Sequence, residues 1–451
     1  MNFKIVKYSG WLGRRDSSYE DFHRRLRSGD IIKQEQSLRE IMSKLEKELA
    51  ELRGKYVGHQ GATITPEPLW KVVIKSVRRK VGQIEERSPT FEDNKVIVRT
   101  AETARQVKGT GSSKSTWRNI GLEGEICVDN LFCVITSRYL LPFIIIHRYL
   151  AVLPAEVSSE GKIRIFNLTL DHFTARDNEC AKLLERWISS AQSIWRKKKR
   201  EKQPEYVADW VNMYRKLESQ IPNSIRVVWM SRRKLYAAVL NPTKETIFGF
   251  PFNKILLKWM LGNRIIEQAI LPSGNRTLPV VCDNMLHYVN VESENEAYWL
   301  SGIFNSIKFR EIVEGKAGLG RGRGPPDIYN IPIRVLNERI PDGFNKTDPT
   351  YIKIAELSKE LERKIGEMVR SYILHVKGKL NEIKALDDTI DPETVIPNIP
   401  ANIIFNYLRG RFPKSKKAGL NKIKQFISDR EIKQTMKIYE LLNNYTSSIL
   451  M

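Results

Sequence analysis

Arg321 and Arg323 stand between glycines at 318, 320, 322 and 324, and Pro325-Pro326 closes the stretch. Glycines at alternate positions let a backbone approach a partner closely, and guanidinium groups make paired hydrogen bonds to phosphate oxygens or base edges. The chemistry on offer is the gripping of a polyanion rather than bond-making. A nucleotide fingerprint of the GxGxxG kind is excluded, because no strand leads in and no helix follows directly. Other cations recur in similar settings: Lys114 in the loop KGTGSSKS (108–115), the run Arg196-Lys197-Lys198-Lys199-Arg200 at a helix end, and Arg232-Arg233 at a strand–strand turn. The helix-end run reads equally well as a solvated terminus whose charges complement the helix dipole. His59-Gln60-Gly61-Ala62-Thr63-Ile64-Thr65-Pro66 is a turn of small residues. Its amides and hydroxyls, that of Thr63 included, suit phosphate contact or plain loop packing.

The rest of the composition agrees with a polyanionic partner. The 451 residues carry 75 Lys and Arg against 52 Asp and Glu, a net charge of +23 and a pI near 9.7. Such an excess favours nucleic acid, because neutralising phosphates releases counterions and dominates affinity. With 41% hydrophobic residues the chain can build real cores. The longest apolar run, Leu140 to Ile146, is broken by Pro142 and falls far short of the ~20 residues of a membrane span. Cys127, Cys133, Cys180 and Cys282 form no C-x-x-C pair, and no histidine lies at finger spacing, so no metal is expected. Cys127 and Cys133 read as small core residues. The N-terminus lacks the apolar stretch of a signal peptide, so a cytoplasmic, nucleoid-associated protein is expected. The abundance of Lys, Ile and Glu suits a thermophile.

Helices and strands must position these groups. Residues 1–30 are basic, and Leu38, Ile41, Met42, Leu45, Leu49 and Leu52 mark an amphipathic helix over 32–53 that stops at Gly54. Strands are expected at 69–77, 95–99, 126–136, 140–147 and 163–167, and again at 225–230, 235–240, 280–282 and 286–291. Between these groups, 174–202 reads as a helix with Leu183, Leu184, Trp187, Ile188, Ala191 and Trp195 on its apolar face, followed by a second helix over 205–220. Residues 294–313 are helical, and Asn305-Ser306 either ends one helical stretch or sits in a kink. An extended, proline-containing segment follows the Gly/Arg loop to about 349, and a long helix capped by Asp348 and Pro349 runs from 350 to about 386. A linker over 387–400 leads to a basic helical tail, 403–450.

Several segments, in order, resemble the target-recognition region of adenine-specific (N6) DNA methyltransferases of restriction–modification type. They are Gly61-Ala62-Thr63 with the strand after it, the Trp-rich helix with Leu217-Glu218-Ser219-Gln220, and the strand pair that ends in Ala237-Ala238-Val239. Glu296-Ala297-Tyr298-Trp299-Leu300, Phe304-Asn305-Ser306, the Gly/Arg loop and Ile354-Ala355-Glu356-Leu357-Ser358 complete the series. The resemblance covers roughly 58–366. Two catalytic motifs of that family are missing: the Gly-rich turn for S-adenosylmethionine and the Asn/Asp-Pro-Pro-aromatic loop that receives a flipped adenine. Phe248-Gly249-Phe250-Pro251 lacks the second glycine, and Pro325-Pro326 lacks both the polar residue before it and the aromatic after it.

The expected fold class is α+β: a basic N-terminal segment and helix (1–57), a β-rich DNA target-recognition domain (58–348), a long helical spacer (349–386) and a basic helical region (387–451). The resemblance implies a protein without catalytic residues or a cofactor of its own. It would hold double-stranded DNA for a catalytic methyltransferase subunit that binds S-adenosylmethionine. The residues expected on DNA are Arg321, Arg323, Lys114, Arg196, Lys197, Lys198, Arg200, Arg232, Arg233 and Thr63. The alternative is a stand-alone DNA-binding structural or chromatin-associated protein derived from such a domain.

Overall fold

A computed structural model describes residues 55–74, 76–81, 84–89, 95–105, 116–166, 179–230, 235–244, 278–316, 331–376, 408 and 428–450. The expected helix over 32–53, the basic segment before it, the Gly/Arg loop and the 387–400 linker lie outside the described residues. The chain divides into two units, Met1–Tyr56 and Val57–Met451. The second unit mixes sheets and helices as an α+β chain.

Two sheets carry the β-structure. The six-stranded sheet has the order β15-β7-β10-β2-β5-β6, with β2 Lys71–Ile74, β5 Lys95–Thr100, β6 Glu123–Cys127, β7 Leu131–Ile135, β10 Tyr149–Val152 and β15 Val280–Cys282. Its neighbours are antiparallel except β15, which runs parallel to β7 with Val280 opposite Cys133. The four-stranded sheet has the order β1-β16-β13-β14, with β1 His59–Gln60, β13 Arg226–Met230, β14 Tyr236–Leu240 and β16 His287–Asn290. Short hairpins pair β3 Ser76–Val81 with β4 Ile84–Pro89, β8 Leu140–Leu141 with β9 Ile144–Ile145, and β11 Ala155–Val157 with β12 Ile163–Ile165. β5 alternates half-buried and buried residues, as a sheet with one covered face requires, whereas β7 is buried throughout.

One apolar cluster joins the layers. It contains Val72, Val98, Leu131 and Leu150 from the larger sheet, Val228, Ala238 and Tyr288 from the smaller, and Leu184 and Trp187 from a covering helix. That helix, α3 (Glu179–Lys198), follows two single-turn helices, α1 (Glu67–Trp70) and α2 (Glu102–Arg105), and precedes α4 (Val207–Val211). Every residue of its expected apolar face is buried.

A second, helical layer lies on β14. It consists of α5 (Glu294–Asn305), α6 (Ile307–Lys316), α7 (Ile331–Arg339), α8 (Pro349–Val376) and α9 (Asp429–Leu450). α8 begins as expected, with the Asp348 carboxylate accepting from Thr350 N at 2.7 Å. It is not a bare spacer, because it packs along α5. A Cβ on Gly302 would overlap Ser358 Oγ and Ile354 Cγ2, so glycine permits the two helices to close. Tyr298 OH donates to Glu362 Oε2 at 2.5 Å, and Lys244 reaches both groups. Trp299 stacks on Tyr351, 5.1 Å apart and inclined by 11°. α9 seats against α5, α6 and α8, with Tyr439 OH donating to Asn305 O at 2.9 Å. Its exposed side carries Arg430, Lys433 and Lys437.

Some expectations need correction. The strand expected over 126–136 is two strands, separated by the 3-10 turn Val128–Asn130. The helix expected over 205–220 stops at Val211, and Tyr214 and Arg215 beyond it adopt left-handed backbone angles. The extended segment after the Gly/Arg loop is helical over Ile331–Arg339, with Pro332 in the first turn, where no amide donor is missed. Over 294–313 the first helical stretch ends at Asn305, one of the two outcomes open to Asn305-Ser306, and the Ser306 hydroxyl accepts from Phe309 N at 3.3 Å and caps α6. Cys127 is not a free core thiol: it forms a disulfide with Cys180, Cα–Cα 5.4 Å. Cys133 and Cys282 are free and buried.

Candidate nucleic-acid interface

Cations and aromatic rings gather around the end of α3. The helix is held at its start by the Cys127–Cys180 disulfide and by a 2.6 Å ion pair between Glu179 and Lys95. Trp187 Nε1 donates to Leu69 O at 3.1 Å, which fixes the helix over β6 and the chain entering β2. At the far end Trp195 is fully buried and donates to Pro204 O at 3.0 Å. The ring centres of Trp117 and Trp210 each lie 5.8 Å from that of Trp195. Both outer tryptophans are partly exposed, and Trp210 Nε1 donates to Thr65 Oγ1 at 3.4 Å.

Cations lie in the same stretches of chain. Lys198 Nζ donates to Thr116 O at 2.8 Å and ties the helix end to the chain carrying Trp117. Arg196 lies 3.8 Å from Glu205 and 6.0 Å from the centre of the Tyr206 ring. Arg200 N donates to Gln203 Oε1 at 2.8 Å, closing the turn that follows the helix. The side chains of Lys197, Arg200 and Arg118 are exposed. Partly exposed rings with cations among them suit a nucleic-acid backbone. On such a surface phosphates would meet the cations and bases or sugars the rings, with stacking worth about 1–3 kcal/mol per base.

Of the residues expected on DNA, the structure brings Arg196, Lys197, Lys198 and Arg200 together here. Arg321, Arg323, Lys114, Arg232 and Arg233 lie outside the described residues, although β13 and β14, which flank the Arg232-Arg233 pair, do pair antiparallel. Thr63 is only 5% exposed. Its turn packs against the chain's own backbone: Gly61 N donates to Leu286 O at 2.9 Å, and Ala62 N to Cys282 O at 2.8 Å. A Cβ on Gly61 would overlap the carbonyl oxygens of Asp283 and Cys282. Of the two uses open to this turn, the structure has the packing one, with Thr63 buried in it.

Sequence reasoning missed the part played by two amides. Gln220 donates from Nε2 to Cys282 O at 3.1 Å and accepts from Cys282 N at 2.8 Å. Asn305 donates from Nδ2 to Ala237 O at 2.7 Å and accepts from Ala237 N at 3.1 Å. Cys282 is on β15, at the edge of the larger sheet, and Ala237 is on β14, at the edge of the smaller. In each sheet a carboxamide pairs both backbone groups of one edge residue and satisfies its amide, while the carbonyl also accepts from a backbone amide, that of Ala62 on Cys282 and that of Phe143 on Ala237. The signal was a carboxamide beside an apolar run, which takes on meaning only once the edge strand is known.

The buried polar groups nearby are tuned by burial. Arg226 is fully buried and donates to Val280 O at 2.6 Å, Pro222 O at 3.2 Å and Gln220 Oε1 at 3.4 Å, with its ionisation pushed down by desolvation. Burial pushes the Asp283 carboxyl up to about 7, while Met285 N donates to it at 3.0 Å. Burial, with Lys216 nearby, lowers His287 to about 4. Among the described residues no three His, Cys, Asp or Glu side chains gather as a metal cluster, and no helix is long and apolar enough to cross a membrane. Compared with protein-family models and with curated protein sequences, the chain matches none.

Proposed function

We propose that the chain is a DNA-binding target-recognition protein, or the recognition subunit of a split adenine-specific DNA methyltransferase or restriction–modification-like system. It grips duplex DNA and presents it to a catalytic partner that supplies S-adenosylmethionine chemistry. The observation that carries this reading is the cationic, aromatic face at the end of α3, on a chain of net charge +23. Phosphate contacts from Arg196, Lys197 and Arg200 set affinity and register there, and base-edge contacts from other loops set sequence. The resemblance supports it as well, since its separated segments touch. Trp187 bonds the segment after Gly61, Gln220 bonds the strand that holds Ala62, and Asn305 bonds the Ala237-Ala238-Val239 strand.

One observation favours a second reading, a stand-alone structural DNA-binding protein. Gln220 and Asn305, two of the residues that carry the resemblance, serve the sheets and need no catalytic partner. Two measurements on the purified chain separate both readings from a complete enzyme. Duplex binding without transfer of a labelled methyl group from S-adenosylmethionine is expected. Methyl transfer by the chain alone overturns the recognition-subunit reading, and absence of duplex binding overturns both. A neighbouring reading frame that encodes the two missing motifs and restores transfer decides for the subunit.

A further inference from the structure

The turn after α4 carries a ring that the fold does not use. Tyr214 is 80% exposed, a large aromatic left in solvent. Its backbone is left-handed (φ 59, ψ 28), and Arg215 next to it has φ 57. Non-glycine residues in this region, and bulky ones above all, are strained, and such strain persists only where the surroundings impose it.

The surroundings here do impose it. Asn212 Oδ1 accepts from Leu217 N at 3.2 Å and from Glu218 N at 3.0 Å, and Asn212 O accepts from Arg215 N at 2.7 Å. Arg215 and Glu218 form a two-pronged ion pair, 3.1 Å on each prong. Lys216 bonds Gln60 and holds its ammonium 5.3 Å from the centre of the Tyr214 ring. Several interactions thus maintain a strained turn whose exposed product is one aromatic ring beside a cation. The same short stretch of chain carries Trp210, the outer tryptophan of the α3 face.

We propose that Tyr214 is a stacking wedge, an aromatic ring held out of the fold on a left-handed turn, which packs against an unpaired base in DNA gripped by the adjacent cationic face. The ring supplies the π-surface, Lys216 supplies charge for a flanking phosphate, and the bonds of Asn212 keep the ring from folding back. The proposal rests on the reading of this face as DNA-binding and names what that face adds to phosphate contact.

The test uses the full chain and two labelled duplexes, one fully paired and one with a single unpaired 2-aminopurine. The parent is expected to favour the second duplex and to quench its fluorescence. Tyr214→Ala should lose about 5- to 100-fold in affinity for the unpaired-base duplex, the range that one stacking contact represents. Affinity for the paired duplex should change less than twofold, and Tyr214→Trp should retain both affinity and quenching. Tyr214→Gly separates binding from folding, because glycine accepts the left-handed angles: it should lose the preference while its Tm is equal to the parent's or higher. Alanine and glycine variants that bind and quench like the parent overturn the wedge, and so does a lowered Tm of Tyr214→Gly. If the parent ignores paired duplex but binds single strands through Tyr214, the wedge stands and the duplex-recognition reading falls. If it binds neither, both fall.

Discussion

Replacing Asn305 with alanine should cost more than its size suggests. The residue is fully buried, and its amide is the partner of Ala237 on the outer edge of β14. The two halves of that pairing are unequal. The Ala237 carbonyl also accepts from Phe143 N at 2.8 Å, so it keeps a donor. The Ala237 amide would be left without Asn305 Oδ1, at a cost of about 1–3 kcal/mol. The space left by the carboxamide adds about 1 kcal/mol. Urea unfolding followed by tryptophan fluorescence should therefore show a loss of about 2–4 kcal/mol. Hydrogen exchange over 235–240 should accelerate with it. Asn305→Asp sharpens the test. It keeps the acceptor for Ala237 N but turns an oxygen toward Ala237 O and Ser301 O, which now accept from Nδ2 at 2.7 and 2.9 Å. That variant should be at least as unstable as alanine at neutral pH and should recover partly at acid pH, where the protonated acid donates again. A loss below about 0.5 kcal/mol for Asn305→Ala, with unchanged exchange at Ala237, would refute the account of how this edge is closed.

Three further outcomes follow from the geometry. Cys127 and Cys180 close a loop of 53 residues, so reduction, or a Cys127→Ser/Cys180→Ser variant, should lower unfolding free energy by about 4 kcal/mol by chain entropy; a fall under about 1 kcal/mol speaks against the bond. His287, buried and lowered to about 4 in the fold against about 6.5 unfolded, contributes stability that is complete above the unfolded value and lost as pH falls from there toward the folded one. The loss is on the order of 3 kcal/mol, and the pH slope of unfolding free energy in this window should flatten in His287→Phe. Gly61→Ala should prevent the turn from seating on Asp283 and destabilise the unit by more than the ordinary glycine-to-alanine effect, measurable as a lower denaturation midpoint.

Much of the fold was legible wherever one local pattern decided it. The apolar face of α3 follows from helical spacing, the Asp348-Pro349 start of α8 from cap chemistry, and β13, β14 and β16 from short runs of β-branched, aromatic and other apolar residues. What was hidden depends on contacts distant in sequence. The pairing of Cys127 with Cys180 joins residues on different elements, so no local spacing signals it. The helix expected over 205–220 ends early because the Asn212 side chain takes the amides of Leu217 and Glu218, a competition that periodicity does not register. Pro332 suggested extended chain, yet proline is equally at home in a first helical turn. Of the candidate interface, the basic run was visible as a run. The tryptophan row was not, because Trp117, Trp195 and Trp210 meet only through the fold.

The claim that this face grips DNA is tested most directly by the salt dependence of duplex affinity. For a protein held by phosphate contacts, the logarithm of the binding constant falls linearly with the logarithm of salt concentration, with a slope of about −0.9 per contact. Arg196→Ala/Lys197→Ala/Arg200→Ala should weaken binding and flatten that slope by about 2–3. Lys162→Ala/Arg164→Ala, on the β11–β12 hairpin, should leave it unchanged. A parent chain that fails to bind duplex, or a triple variant with the parent's affinity and slope, would contradict the account.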